Sequence, residues 1–245
     1  KIMSDNYKVS IITACYNSEK TIERTLKSVL AQTYSNYEYI IIDGMSTDDT
    51  LKIIDAYRNA FGSKLKVVSE RDSGIYNAMN KGIKMASGEL VGIINSDDWY
   101  EPDALQTIVY SFNHEKYSVL YGMTYNYLNN KPYQIYMINY EFLNKVMIPH
   151  PSCFVTRDTY LDLGMYDETY KSSADYDLFL KFYFSRKVSF IPIMKIVSNF
   201  SLGGMSSSLV GAIESNEIKH KYKLISSKEY YITSLKLRLK KALLG

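Results

Sequence analysis

Cysteine is scarce: Cys15 and Cys153 are the only two in 245 residues. A disulfide framework needs several pairs and a zinc site needs paired spacing, so each thiol is expected as a small core residue in a reducing compartment. Long apolar runs are missing too. "YEYIII" and "LVGII" stop well short of the roughly 20 residues a membrane span requires, and the amino end has no signal-peptide pattern. A cytoplasmic chain is therefore expected. Excess charge is also small, and a net +3 gives no reason to expect a nucleic-acid partner, although the tail "SLKLRLKKALLG" is cationic without an acid. No repeat, low-complexity tract or linker breaks the sequence, which favours one domain with a helical tail.

What is present is an alternation. "KVSIITACYN" is a compact apolar run ending in turn formers. In the following "SEKTIERTLKSVLAQ", Ile22, Leu26, Val29 and Leu30 recur at helical spacing behind Ser18 as a candidate cap. "YEYIIID" and "GMSTDDTLKIIDAYRNAF" repeat the unit, with Thr47 or Asp48 capping a helix that buries Leu51, Ile54 and Tyr57. "KLKVVSE" with "IYNAMNKGIKMA" is a third, and "GELVGIIN" a fourth strand. Such alternation predicts an α/β fold, a mostly parallel wound sheet whose ligands sit beyond the carboxyl ends of the strands. After the helix "DALQTIVYSF" the rhythm breaks. "SVLYGMTYNYLNNKPYQIYMI" reads as two strands about "NNKP", so a small antiparallel part joins the sheet. A strand and short helix in "IPHPSCFVTRDTYLDLGMYDETY", the helix "ADYDLFLKFYFSR", the strands "VSFIPI" and "KIVSNFS", and a helical tail complete the chain.

Polar clusters follow the strands. "YNS", "DGMSTDD", "ERDSG" and "NSDD" each close one, so a single crevice could collect all four. Asp97 and Asp98 carry the most information, because adjacent carboxylates repel and are costly unless a cation, a partner or water satisfies them. A helix cap is one account, but Trp99, Tyr100 and Glu101 intervene before Pro102, and Asp103 is nearer the helix start. Hard oxygen ligands of this kind hold Mg2+ or Mn2+ together with a substrate phosphate. Asp43 could accept hydrogen bonds from a base or ribose, or close an Asx turn with Gly44 and Ser46. Asp72 has the same two readings, and Gly74 would let backbone approach a ligand.

The blocks "VSIITACYNSEKTIERTLKSVLAQTYSNYEYIIIDGMSTDDT", "ERDSGIYNAMNKGIKMASGELVGIINSDDWYEPDAL" and "SSADYDLFLK" resemble the successive signature blocks of family 2 glycosyltransferases, inverting enzymes of the GT-A fold that use nucleotide sugars. The resemblance implies a metal-dependent transfer of a sugar from a nucleotide-sugar donor, expected to be UDP-linked. The acceptor would be a hydroxyl of a glycan or lipid-linked molecule in surface polysaccharide assembly. It further implies that Ala14, Tyr16, Asn17, Asp43, Asp72, Asn77 and Asp97 hold the donor nucleotide, with Tyr16 able to stack on the base. "SDD" corresponds to the family's DXD-type motif. Its usual form is "DSDD", and here Asn95 takes the first position, leaving Asp98 for direct coordination of Mn2+ or Mg2+ and Asp97 for metal or ribose. Asp175 is implied as the base that takes the acceptor hydroxyl's proton, alone because Ala174 replaces the first acid of the usual pair. Asp177 is expected as a cap or salt-bridge residue. The late metal-ligating histidine that family members often offer is missing.

Three residues are assigned to the acceptor or diphosphate side. His150 could hydrogen-bond sugar or diphosphate, or be structural; Trp99 could stack on a sugar or belong to the core. Ser206 lies in "LGGMSSS", a loop that could close over the pyrophosphate. In the tail, Ile232, Leu235, Leu239 and Ala242 recur among Lys236, Arg238, Lys240 and Lys241. Such a helix can rest on the cytoplasmic face of an anionic inner membrane, pack on the domain, or meet a homodimer partner. The expected units are a GT-A domain over 1–208 and a helical extension over 209–245. Two other classes compete. A sugar nucleotidyltransferase should show a Gly-rich basic loop after the first strand, which "TACYNSEK" lacks. A non-catalytic nucleotide-sugar-binding protein draws support from Asn95, Ala174 and the missing histidine.

Overall fold

The computed structural model describes residues 6–203 and 208–244. Strand β1 (Val9–Cys15), helix α1 (Ile22–Leu30), β2 (Tyr37–Asp43), α2 (Thr50–Ala56), α3 (Arg58–Phe61), β3 (Leu65–Ser69), α4 (Ile75–Met85) and β4 (Leu90–Ile93) make the wound amino-terminal part. The two-residue β5 (Trp99–Tyr100), α5 (Ala104–Ser111), β6 (Ser118–Leu128), β7 (Lys131–Tyr136), β8 (Cys153–Thr156), α6 (Arg157–Leu163), α7 (Ala174–Ser185) and β9 (Ser189–Ser201) follow. Helices α8 (Leu209–Lys221) and α9 (Ser227–Leu244) end the chain.

One sheet runs in the order β3-β2-β1-β4-β8-β6-β9-β5, with β7 added to the edge of β6. The first four strands are parallel; β8 is antiparallel to both β4 and β6, and β9 returns parallel to β6. This is the expected α/β architecture with its antiparallel part. Alternate residues of each buried strand feed opposite cores, which is why β1 and β2 read as mostly apolar runs. Ile12, Ile40 and Ile42 meet Met79 and Ile83 of α4 and Phe179 of α7 on one side. Ile11 and Ile41 meet Leu26 of α1, Ile54 of α2 and Ile108 of α5 on the other. Each such fully buried side chain contributes about 1.5–3 kcal/mol relative to exposure. Gly92 of β4 lies opposite Phe154 of β8, and a Cβ there would run into the phenyl ring, so a missing side chain is what admits the antiparallel neighbour.

Local expectations divide. Cys15 and Cys153 are free and buried, as read. Asp48 does serve the start of α2, accepting from the Thr50 N–H at 3.0 Å and the Thr50 hydroxyl at 2.5 Å. Ser18 does not cap α1. The helix begins at Ile22 after Thr21, and the Ser18 hydroxyl instead lies 2.8 Å from that of Ser96. "VSFIPI" and "KIVSNFS" are one strand, not two: after the Tyr121–Pro192 pair the β6–β9 register slips, because proline cannot donate to the ladder.

Candidate active site

The carboxyl ends of β1 and β2 release two loops that are laced together. The Asn17 carboxamide oxygen accepts from the Thr47 N–H at 2.8 Å, and the Asn17 N–H donates to the Ser46 hydroxyl at 2.8 Å. Ser18 N–H reaches the Thr50 hydroxyl at 2.7 Å, and Glu19 N–H reaches Asp48 at 3.1 Å. Beneath them Asp43 is fully buried, accepting from Ser46 N–H (3.0 Å), Ser46 Oγ (2.5 Å) and Ser69 Oγ (2.6 Å). Its carboxylate therefore anchors the floor on which the loops rest. Gly44 is pinched between neighbours: a Cβ there would sit 2.7 Å from an Asp72 carboxylate oxygen and 3.4 Å from the Tyr16 ring. Tyr16 is 62% exposed beside this pair, a free aromatic face bordered by a carboxylate. Asp72 also accepts from Gly74 N–H at 3.0 Å, the Asx geometry foreseen for that loop.

The acidic turn follows β4. Its neighbouring carboxylates point to different environments. Asp97 faces the central cavity, while Asp98 is fully buried, accepting from the Ser201 N–H at 2.8 Å and lying 3.4 Å from the Asn95 amide nitrogen. Burial, reinforced by the charge of Asp97, pushes the Asp98 carboxyl well above its ordinary range and favours its neutral form. Burial also raises Asp97, against the opposing charge of Arg24. Arg24 of α1 braces the turn by donating to the Asp97 carbonyl at 2.7 Å, and its guanidinium lies 3.6 Å above the Trp99 ring. Trp99 is thus taken up by Arg24 and by Tyr127, whose ring centroid is 4.7 Å away, and does not line the cavity.

The cavity encloses about 940 Å3. Ala14, Asn17, Asn95 and Asp97 line one part of it, and His150 and Asp175 another. Asp175 occupies the first turn of α7, where the helix amino end favours its negative charge. The Tyr76 hydroxyl donates to it at 3.3 Å. Tyr76 stacks on Tyr166, whose hydroxyl lies 2.7 Å from His150 Nε2. Burial lowers the His150 pKa, opposed by the nearby Asp175 charge, so a neutral imidazole is favoured. Asp177 faces away and pairs with Lys221 at 2.6 Å, the salt-bridge role read for it.

Two side chains of the acidic turn are of a kind that could hold a divalent cation. Among the described residues no three His, Cys, Asp or Glu side chains converge into a protein cage. The Asn95 carboxamide oxygen is nonetheless buried without a hydrogen-bond partner, and Asn95 and Asp97 share the cavity wall. Two hard oxygens of this kind suit Mg2+ or Mn2+, which commonly take one or two protein ligands and fill the remaining positions from phosphate and water.

The residues assigned from sequence thus fall into groups. Ala14, Asn17, Asp97, His150 and Asp175 line one cavity; Tyr16, Asp43 and Asp72 cluster at the adjoining Gly44 loop. Asn77 is directed to Glu168 at 2.8 Å, outside the cavity, while Tyr76 beside it faces inward. Ser206 lies outside the described residues. Sequence reasoning did not single out Tyr76, nor Thr124 and Asn126 of β6, which line the cavity with Gln134 and Tyr136 of β7. The i, i+2 polar pair in "GMTYNYL" was the available signal for β6.

Residues 10–166, from β1 through the Tyr166 wall, match the sequence pattern of glycosyl transferase family 2. The chain belongs to that family. It is 28% identical over 204 residues to a PGL/p-HBAD biosynthesis glycosyltransferase of Mycobacterium bovis, covering 82% of this chain and 80% of that protein. To the chondroitin synthase of Escherichia coli it is 32% identical over 208 residues, 82% of this chain but 30% of the larger protein. Among solved structures, S. aureus TarS 1-349 in complex with UDP-GlcNAc superposes with a TM-score of 0.71 at 22% identity, covering 94% of this chain and 71% of that one. The mannosyltransferase PcManGT from Pyrobaculum calidifontis, in complex with GDP-Man and Mn2+, gives 0.67 at 16% identity, covering 97% and 75%. These structural likenesses carry the fold, which is of the expected GT-A type. The chain spans 41% of a longer TarS chain.

Proposed function

We propose that this family 2 glycosyltransferase moves a sugar, with inversion, from a UDP-linked donor to a hydroxyl of a glycan or lipid-linked acceptor in polysaccharide assembly. One observation carries the reading: the loops after β1 and β2, the Asn95–Asp97 turn and Asp175 all border a single cavity. The Tyr16 ring and Asp72, flanking Gly44, suit a nucleoside base. Asp97, with the unpartnered Asn95 oxygen, would hold Mn2+ or Mg2+. The sequence reading gave direct coordination to Asp98, but that carboxyl is fully buried, is held by the Ser201 N–H and does not line the cavity, so in this proposal the role passes to Asp97. When bound, the cation would stabilise negative charge on the departing diphosphate. Asp175 accepts the proton of the attacking hydroxyl, Tyr76 fixes its orientation, and His150, kept neutral, can hydrogen-bond the acceptor or diphosphate. A lone base on the acceptor side serves direct displacement, which inverts the anomeric centre.

The test is UDP release from UDP-sugars with Mn2+, with and without oligosaccharide acceptors. Turnover that chelation removes and Asp97→Ala abolishes would support the reading. Tight UDP-sugar binding with no hydrolysis and no transfer to any acceptor would defeat it.

A further inference from the structure

Helix α9 uses two faces, and only one has a partner among the described residues. Along the inner face, Asn216 of α8 donates to the Tyr230 carbonyl at 3.2 Å and to the Ser234 hydroxyl at 2.9 Å, and His220 stacks on Tyr230 at 4.3 Å. The opposite face carries Tyr231, Ile232, Leu235 and Leu239, every one of them at least 46% exposed. Residues spaced by four on a helix form one continuous stripe, so these side chains make a ridge and not scattered points. No helix among the described residues is long and apolar enough to cross a membrane, so the ridge is not a buried span.

Charge indicates what covers it. α9 carries five cations, Lys228, Lys236, Arg238, Lys240 and Lys241, against one acid, Glu229. That excess is larger than the +3 of the entire chain, so the remaining residues together are slightly acidic. A second copy seated symmetrically on the ridge would bring Lys236 and Arg238 of both chains together, and like charges in an interface are repulsive. An anionic bilayer reverses the sign: the apolar ridge enters the acyl boundary while the flanking cations meet lipid phosphates.

We propose that the outer face of α9 docks this protein on an anionic membrane surface, lying in the plane of the interface. The placement has a consequence for the cavity. Glu214 of α8 accepts from the N–H groups of Lys171, Ser172 and Ser173 at 2.6, 2.8 and 2.9 Å, immediately before Asp175. The helical pair that meets lipid is therefore fastened to the wall that holds the candidate base.

The experiment is vesicle flotation of the whole chain with phosphatidylcholine alone and with phosphatidylcholine plus phosphatidylglycerol. The expected result is co-flotation with the anionic vesicles, weak association with the neutral ones, and release by added salt. Leu235→Gln/Leu239→Gln removes the ridge and Lys236→Gln/Arg238→Gln removes charge. Glutamine keeps helix propensity close to that of the replaced residues, and circular dichroism checks that α9 persists. Each pair should lower anionic-vesicle affinity about tenfold or more. Absence of flotation, equal binding to both vesicle types, or retention of binding by both variants would overturn the proposal. So would a dimer in sedimentation that Leu235→Gln/Leu239→Gln dissociates.

Discussion

The Tyr76 hydroxyl stands 3.3 Å from a carboxylate oxygen of Asp175, joining the first turn of α4 to the first turn of α7 across the cavity. Burial and the Asp175 charge together push the Tyr76 pKa up, so the phenol remains a proton donor throughout the working range of pH. Tyr76→Phe removes that donor and keeps the ring stack with Tyr166. Transfer rate is expected to fall about tenfold, the loss of one hydrogen bond to a charged acceptor. The donor Kd should stay constant, because Tyr76 meets the candidate base and not the loops after β1 and β2. Calorimetry with UDP and initial transfer rates check both.

Asp175→Asn should leave UDP binding in place and lower transfer by about 10^2–10^4, the range for losing a positioned general base. Equal loss of donor affinity would move Asp175 out of the base role.

Asp97 and Asp98 should separate cleanly. Asp97→Asn is expected to weaken Mn2+-dependent UDP binding strongly, whereas Asp98→Asn keeps the shape and the acceptor for the Ser201 N–H and should change that binding by less than about threefold. Titration calorimetry with Mn2+ and UDP distinguishes them; the reverse order would return coordination to Asp98.

Far from the cavity, Glu38 is a buried carboxylate held by Lys66 at 2.7 Å, Ser10 Oγ at 2.7 Å and Ser87 N–H at 2.7 Å. Burial alone would raise its pKa, but these partners bring it down from 4.5 to about 2. A lowered carboxylate pKa contributes stability that is present above the unfolded value and lost as pH falls through the folded one. Glu38→Gln should therefore lower stability at pH 7 by about 2 kcal/mol, with the difference from the parent fading as pH falls from 4.5 toward about 2. Urea melts at several pH values provide the measurement.

Gly92→Ala tests the β4–β8 contact. The added methyl meets the Phe154 ring, an overpacking expected to cost about 1–3 kcal/mol and several degrees of melting temperature.

Much of the amino-terminal half of the molecule could be read from sequence, because parallel strands buried on both faces announce themselves as apolar runs and their polar loops follow at once. β1 to β4 and the loops ending them were visible for that reason. The orientation of single side chains was not. Asp97 and Asp98 differ by one position in a turn, and only the arrival of Ser201 from β9 decides which turns inward. On α4, Tyr76 and Asn77 are separated by roughly 100° of helix rotation, and the sequence did not reveal that Asn77 is directed to Glu168 while Tyr76 lines the cavity. β5 escaped notice because two residues carry no periodicity; β9 defines it by pairing Trp99 with Asn199 and Tyr100 with Ser198.

Ser201 holds both members of the acidic turn, with its amide on the Asp98 carboxylate and its hydroxyl 2.7 Å from the Asp97 carbonyl, across 103 and 104 positions of sequence. The acidic turn and the last strand are therefore tied together at one residue. Under the proposed function, hydrogen exchange at the Ser201 amide is expected to slow when UDP and Mn2+ are added, although Ser201 is remote in the chain from the loops after β1 and β2.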